Sequence, residues 1–301
     1  MHRISLLDGG TGRELLRIGA PFAQPEWSAL ALIEGPQFVT RVHEAFVAAG
    51  ADIITTNSYA VVPFHLGAAR FARDGHALAA LSGRLSREVA DRSTRPVTVA
   101  GGLPPLCGSY RPERFDAAQA APILTTLVRA LEPSVDLWLA ETLSSQVEAE
   151  LVREVLGARS KPLWLSFTLA DEYPSASSSL RSGERVAEAV ATAVRLGAEA
   201  ILFNCSRPEV MGAAVSEAAH ALDERGDAAE PIRIGVYANA FVPLAAVTEA
   251  NEALSTLRQD VSPGAYRHWA QDWVARGARI IGGCCGIGPE HIAELRKLNA
   301  S

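Results

Sequence analysis

The sequence has no apolar run approaching the ~18–20 residues that a bilayer-spanning helix needs, which argues against a helical membrane protein. No secretory leader is expected either, because Met1-His2-Arg3-Ile4-Ser5-Leu6-Leu7-Asp8 meets an acid before any h-region forms. A cytoplasmic protein is expected. Positive charge is in deficit: 28 Lys and Arg face 34 Asp and Glu, for a net charge of −6 and a pI near 5.7. Nucleic acid and anionic membrane are poor partners for such a surface. Cysteine is scarce as well. Four residues (Cys107, Cys205, Cys284 and Cys285) cannot frame a disulfide scaffold in a chain of 301. In a reducing compartment they are core fillers, catalytic thiols or metal ligands.

What is present is a core. Hydrophobic residues make up 48% and charged residues 21%, ordinary for a soluble globular enzyme. Eight short apolar, β-rich runs lie at 4–10, 52–59, 97–103, 136–143, 162–169, 198–205, 233–240 and 278–285. Their apolarity is continuous rather than alternating, as strands buried on both faces of a parallel sheet require. Segments of helical periodicity separate them, with Pro36, Pro208 and Pro289 at expected first turns. Ala49-Gly50-Ala51, Leu196-Gly197-Ala198 and Arg276-Gly277-Ala278 share one grammar: a helix end, a Gly able to turn left-handed, then a buried strand. Eight strand–helix alternations without a domain boundary predict a single (β/α)8 TIM barrel over residues 1–301. Two long polar loops, 170–184 and 241–262, follow the fifth and seventh strands.

Catalytic residues in such barrels sit at the C-terminal strand ends. Those positions hold Asp8-Gly9-Gly10-Thr11, Asn57 to Tyr59, Gly101-Gly102, Glu141-Thr142, Thr168, Asn204-Cys205, Tyr237, Asn239 and Cys284-Cys285. Two carboxylates and three of four cysteines therefore gather at one predicted mouth, and the other end offers nothing comparable. Gly282-Gly283 and Gly286 allow the irregular backbone that adjacent ligands need, since successive side chains on a regular strand point apart. The spacing of Cys205 from Cys284 matches no zinc-finger pattern, so three readings stand: a metal site, a redox thiol pair, or inert core cysteines. If a metal binds, three thiolates favour Zn2+ and leave the fourth tetrahedral position open for catalysis. Cys107, in a loop without a partner, reads as structural.

Asp8 and the Gly9–Gly10 loop could hold the cationic and anionic groups of an amino acid, or could simply form a tight turn. Glu141 could supply a second carboxylate to an ammonium, or a structural salt bridge. Two rival functions remain. A Gly-rich turn at 286–290 sits where barrels bind phosphate, pointing to an isomerase or aldolase of a phosphorylated substrate, although no Lys or Arg stands at a strand end. A non-catalytic zinc or redox sensor would explain the cysteines but not the carboxylates.

The motifs Asp8-Gly9-Gly10-Thr11-Gly12, Thr55-Thr56-Asn57-Ser58-Tyr59, Glu141-Thr142-Leu143, Ser166-Phe167-Thr168-Leu169, Asn204-Cys205 and Gly282-Gly283-Cys284-Cys285-Gly286 resemble the homocysteine S-methyltransferases over essentially the whole chain. The resemblance implies catalytic zinc on Cys205, Cys284 and Cys285, with homocysteine's thiol in the open position. It implies that Asp8, Glu141 and the amides of Gly9 and Gly10 hold the amino-acid end, with Asn204 as a further substrate contact. It also places Trp27 and Tyr59 at an aromatic pair that flanks the methyl donor. The partners expected are therefore small molecules: homocysteine, and an onium donor. Because the barrel takes up nearly all of the chain, a small sulfonium (S-methylmethionine or S-adenosylmethionine) is the expected donor. Two loops depart from the pattern, at Tyr237-Ala238-Asn239-Ala240-Phe241-Val242-Pro243, which relatives read close to Tyr-Pro-Asn-Ser-Gly-Glu, and at Gly102-Leu103-Pro104-Pro105-Leu106.

Overall fold

A computed structural model describes residues 3–158, 161–171, 178–226, 232–242 and 256–299. Pro243 and most of the 241–262 loop lie outside the described residues, as does part of the 170–184 loop. Each of the eight apolar runs contains a parallel strand: β1 (Ser5–Leu6), β2 (Ile53–Thr55), β3 (Thr98–Leu103), β4 (Leu137–Leu143), β5 (Leu163–Phe167), β6 (Ala200–Asn204), β7 (Arg233–Tyr237) and β8 (Ile280–Ile281). The strands are shorter than the runs, because the apolar residues beyond them turn into the βα loops that build the mouth.

Sheet order runs β1-β8-β7-β6-β5-β4-β3-β2, so the strands from β2 to β8 pair with their sequence neighbours and β1 pairs with β8. The seam between β1 and β2 is closed by the parallel bridge Leu7–Ile53 and by Asp52 N donating to the Leu6 carbonyl at 2.7 Å. At the opposite end the Asn299 side chain accepts from Ile4 N at 2.8 Å and donates to its carbonyl at 2.9 Å, tying the last turn to the first strand. A helix of the outer ring follows each strand: Pro36–Ala49, Ala68–Arg92, Ala117–Leu131, Gln146–Leu156, Val186–Arg195, Pro208–Asp223, Pro263–Ala275 and Pro289–Leu295. The prolines open their helices as expected, and Gly50, Gly197 and Gly277 take left-handed φ of 115°, 65° and 124°.

Alternation along the strands divides the core in two. Leu137, Leu139, Trp164, Ala200, Leu202, Tyr237 and Ile280 fill the barrel interior, with Cys284 packed against them. Trp138, Ala140, Leu165, Phe167, Ile201 and Phe203 point outward under the helices. Interior side chains of this kind fill such barrels as a packed core, and ligand sites form at the C-terminal strand ends. Among the described residues no helix is long and apolar enough to cross a membrane.

Candidate functional site

The mouth holds a cavity whose walls come from the ends of β1, β2, β4, β6, β7 and β8. Asp8 continues β1. Its carboxylate accepts from Thr55 N at 2.7 Å and from Thr55 Oγ1 at 3.1 Å, so the end of β2 fixes its direction. Burial pushes its carboxyl up to about 7 despite those bonds. Glu141, near the end of β4, lies over Gly102, whose missing side chain makes room: a Cβ there would stand 2.8 Å from Glu141 Oε1. Burial, then the charge of Asp8, raises its carboxyl to about 8. Two carboxyl groups thus share a desolvated cavity and oppose each other's ionisation. A cation placed between them would reverse both shifts.

The sulfurs converge on the same cavity. Cys205, at the end of β6, turns left-handed with φ of 47°, and its Sγ touches that of Cys284. All three Sγ atoms, Cys285 included, lie within 4.8 Å of one another. Tetrahedral zinc with Zn–S bonds of ~2.3 Å sets its sulfurs ~3.8 Å apart, so the cluster fits a zinc ion with modest adjustment. Among the described residues this is the one group of three or more metal-ligating side chains. Burial pushes the Cys285 thiol up to about 12, with Arg13 pulling the other way, so a bare thiol there holds its proton. A redox pair accounts for the contact between two sulfurs, but leaves the third unexplained.

The glycines act differently from the expectation. Gly282 and Gly283 are needed for close approach rather than for an unusual φ. A Cβ on Gly283 would lie 2.1 Å from Ile287 Cγ2, and one on Gly282 2.4 Å from Leu7 Cβ. Only Gly286 is left-handed, at φ 85°. The Gly10 amide is already spent on the Ile287 carbonyl at 2.9 Å, which removes it as a donor to a ligand; Gly9 still borders the cavity.

Asn204 also departs from the expectation. It is fully buried and does not line the cavity. Its amide is consumed by Thr142 and Ser166. Trp27 and Tyr59 do line the cavity, with ring centroids 5.7 Å apart and planes at 68°. The Tyr59 hydroxyl is paired with Ser109 Oγ at 2.6 Å, and Asn57 Nδ2 donates to Ser28 O at 3.1 Å, fixing the Trp27 loop. Sequence reasoning missed His65, stacked on Trp27 at 5.8 Å, and Tyr110, which lines the cavity with φ of 64°. His65 sits in the single helical turn Pro63–Leu66 and Tyr110 in a turn, and neither stretch is long enough for a periodicity to mark them. Thr168 and Asn239 do not line the cavity; Thr168 Oγ1 donates to the Leu143 carbonyl and Asn239 Oδ1 accepts from Phe241 N. Cys107 is remote from the cluster, its Sγ 3.9 Å from the Asp116 carbonyl.

The phosphate reading loses its site. The Gly288 amide is bonded to His291 Nδ1 at 3.2 Å, and a Cβ on Gly288 would meet both Glu290 carboxylate oxygens at 2.9 Å, so the turn presents an anion.

Residues 5–298 match the homocysteine S-methyltransferase family. The chain is 30% identical to homocysteine S-methyltransferase of Escherichia coli, covering 97% of this chain and 94% of that one. It is 25% identical to selenocysteine methyltransferase of Astragalus bisulcatus, covering 99% and 93%. In three dimensions it is similar to the metallated form of the homocysteine methyltransferase MmuM from Escherichia coli, with a TM-score of 0.75, 27% identity and 99% and 96% coverage.

Proposed function

The chain belongs to the homocysteine S-methyltransferase family, and from that premise we propose that it transfers a methyl group from a small onium donor, S-methylmethionine or S-adenosylmethionine, to the thiol of L-homocysteine, giving methionine. One observation carries this reading: a three-sulfur cluster and two buried carboxylates occupy a single cavity. Homocysteine carries a thiol at one end and an ammonium at the other, and so matches both. Cys205, Cys284 and Cys285 would hold Zn2+, and the metallated state named for the MmuM relative supports that assignment. Zinc bound there would supply the Lewis acidity that keeps an acceptor thiol deprotonated near neutral pH.

The protein's own residues do the rest. Asp8, directed by Thr55, and Glu141 receive the ammonium, and its charge lets both carboxyls ionise. The amide of Gly9 and the start of the helix Thr11–Arg17 border the cavity where the amino acid's carboxylate would lie. Trp27 and Tyr59 offer aromatic faces to the donor's positive centre without adding an anion that would compete for it. In the transfer, a lone pair on the homocysteine sulfur forms the new S–C bond as the methyl–sulfonium bond breaks. The broken bond's electron pair stays on the donor sulfur, which leaves neutral. Such a displacement needs alignment above all, and the rigid strand ends provide it.

The test is to incubate zinc-loaded protein with homocysteine and S-methylmethionine, S-adenosylmethionine or glycine betaine separately, then quantify methionine. Turnover with either sulfonium is expected. Turnover with betaine alone would overturn the donor, and turnover with none would overturn the acceptor. A parallel arm uses selenocysteine as acceptor, since one relative bears that substrate in its name.

A further inference from the structure

The β4–β5 register breaks between Ala140 and Leu143, at Glu141 and Thr142. Thr142 sits there with φ of 61°, a left-handed conformation that a β-branched residue adopts only when its surroundings enforce it. The enforcing group is the side chain of Asn204. Its Oδ1 accepts from Thr142 N at 3.1 Å and from Ser166 Oγ at 2.8 Å, and its Nδ2 donates to Thr142 Oγ1 at 2.9 Å. Asn204 is completely buried, as are Thr142 and Ser166, so water does not compete for these bonds. One amide thus binds the bulge of β4 at both its backbone and its side chain, and leans on β5 between them.

The neighbours of the two clamped residues give this arrangement its meaning. Glu141 immediately precedes Thr142, and Cys205 immediately follows Asn204. Were β4 to run regularly through this point, the pairing beyond Ala140 would shift and Glu141 would lose the position that sets it over Gly102. We propose that Asn204 is a positioning residue, fixing the Glu141 carboxylate in the cavity by clamping Thr142 in its left-handed conformation and tying it to the backbone that presents Cys205. The clamp sets the separation between carboxylate and sulfurs, and therefore the length of amino-acid thiol the cavity accepts. The last step rests on the homocysteine reading above; the clamp itself does not.

Thr142→Val keeps the side-chain shape and removes one of the three bonds. We expect it to raise the KM for homocysteine by about tenfold, with Thr142→Ser restoring the parental value, because the displaced group is an anchor for a charged ligand. The decisive comparison repeats Thr142→Val in a Glu141→Gln background, where the loss should shrink to less than about twofold if the clamp acts through Glu141. An equal factor in both backgrounds, or a KM within about twofold of the parent in the first, would overturn the proposal. A crystal structure of Asn204→Ala decides the clamp without any substrate: Thr142 should leave the left-handed region and Glu141 should move, and Thr142 staying at its present φ would overturn it. A parent that turns over no homocysteine would count against the proposed acceptor, with the crystal structure still deciding the clamp.

Discussion

The hydroxyl of Tyr266 donates to the carbonyl of Gly282 at 2.7 Å and accepts from the amide of Ala238 at 3.0 Å, bridging β7 and β8 just beyond their ladder. Gly282 lies two residues before Cys284, so a side chain from the helix Pro263–Ala275 supports the strand end that carries two of the three sulfurs. Tyr266→Phe leaves two buried backbone groups short of a partner, and should lower the unfolding free energy by about 1–3 kcal/mol. Urea denaturation measures this. Competition with a chelator should show faster zinc loss in the same variant, and an unchanged rate would separate Tyr266 from the metal site.

Zinc stoichiometry should be about one per chain in protein purified under reducing conditions, the value that one cluster of three thiolate ligands dictates. Cys285→Ala should drop it well below that, whereas Cys107→Ala should leave it intact, since Cys107 bonds toward Asp116 and not toward the cluster. Metal analysis of the two variants side by side gives the answer.

The raised carboxyls of Asp8 and Glu141 predict a pH dependence of known sign. A carboxyl whose folded value is raised favours the folded state below its unfolded value, and that contribution is lost as pH rises through the folded one. The ligand-free protein should therefore lose stability between about pH 4 and about pH 8 through these two groups. Glu141→Gln should raise the melting temperature of ligand-free protein at pH 8 while weakening homocysteine binding. Scanning calorimetry and binding titrations check the two halves; a variant that melts lower at pH 8 than the parent would refute the first.

Homocysteine binding to zinc-free protein at pH 6 should release protons, because both carboxyls start protonated below about 7 and about 8 and the ammonium stabilises their charged forms. Titration calorimetry in buffers of different ionisation enthalpy reads the number directly. Proton uptake would contradict the assignment of these groups to the ammonium.

Trp27→Ala should raise the KM for the onium donor by roughly 2- to 30-fold, the range of a cation–π contact of about 0.5–2 kcal/mol, with the KM for homocysteine far less affected. Initial rates with each substrate varied in turn separate the two. Trp27 is held by His65 stacked on its face, so His65→Ala should move the donor KM in the same direction by a smaller factor.

The sequence by itself determined the barrel and which carboxylates and cysteines meet at its mouth. Continuous apolar runs can be satisfied only where both strand faces are dry, and Gly50, Gly197 and Gly277 mark helix ends because those turns require a left-handed residue. Asp8, Glu141, Cys205, Cys284 and Cys285 were legible for the same reason: a strand end at the C-terminal side of such a barrel has one place to point. Tertiary structure alone decided how the polar groups divide their work. Asn204 and the Gly10 amide read as ligand contacts in the sequence, yet both are used up inside the protein, on Thr142 and Ser166 and on Ile287. His65, Tyr110 and Tyr266 gave no sequence signal, because their roles depend on contacts across loops and elements that no local period encodes. A hydrogen-bonding group declares its chemistry in the sequence, but which partner satisfies it is set only when distant strands arrive side by side.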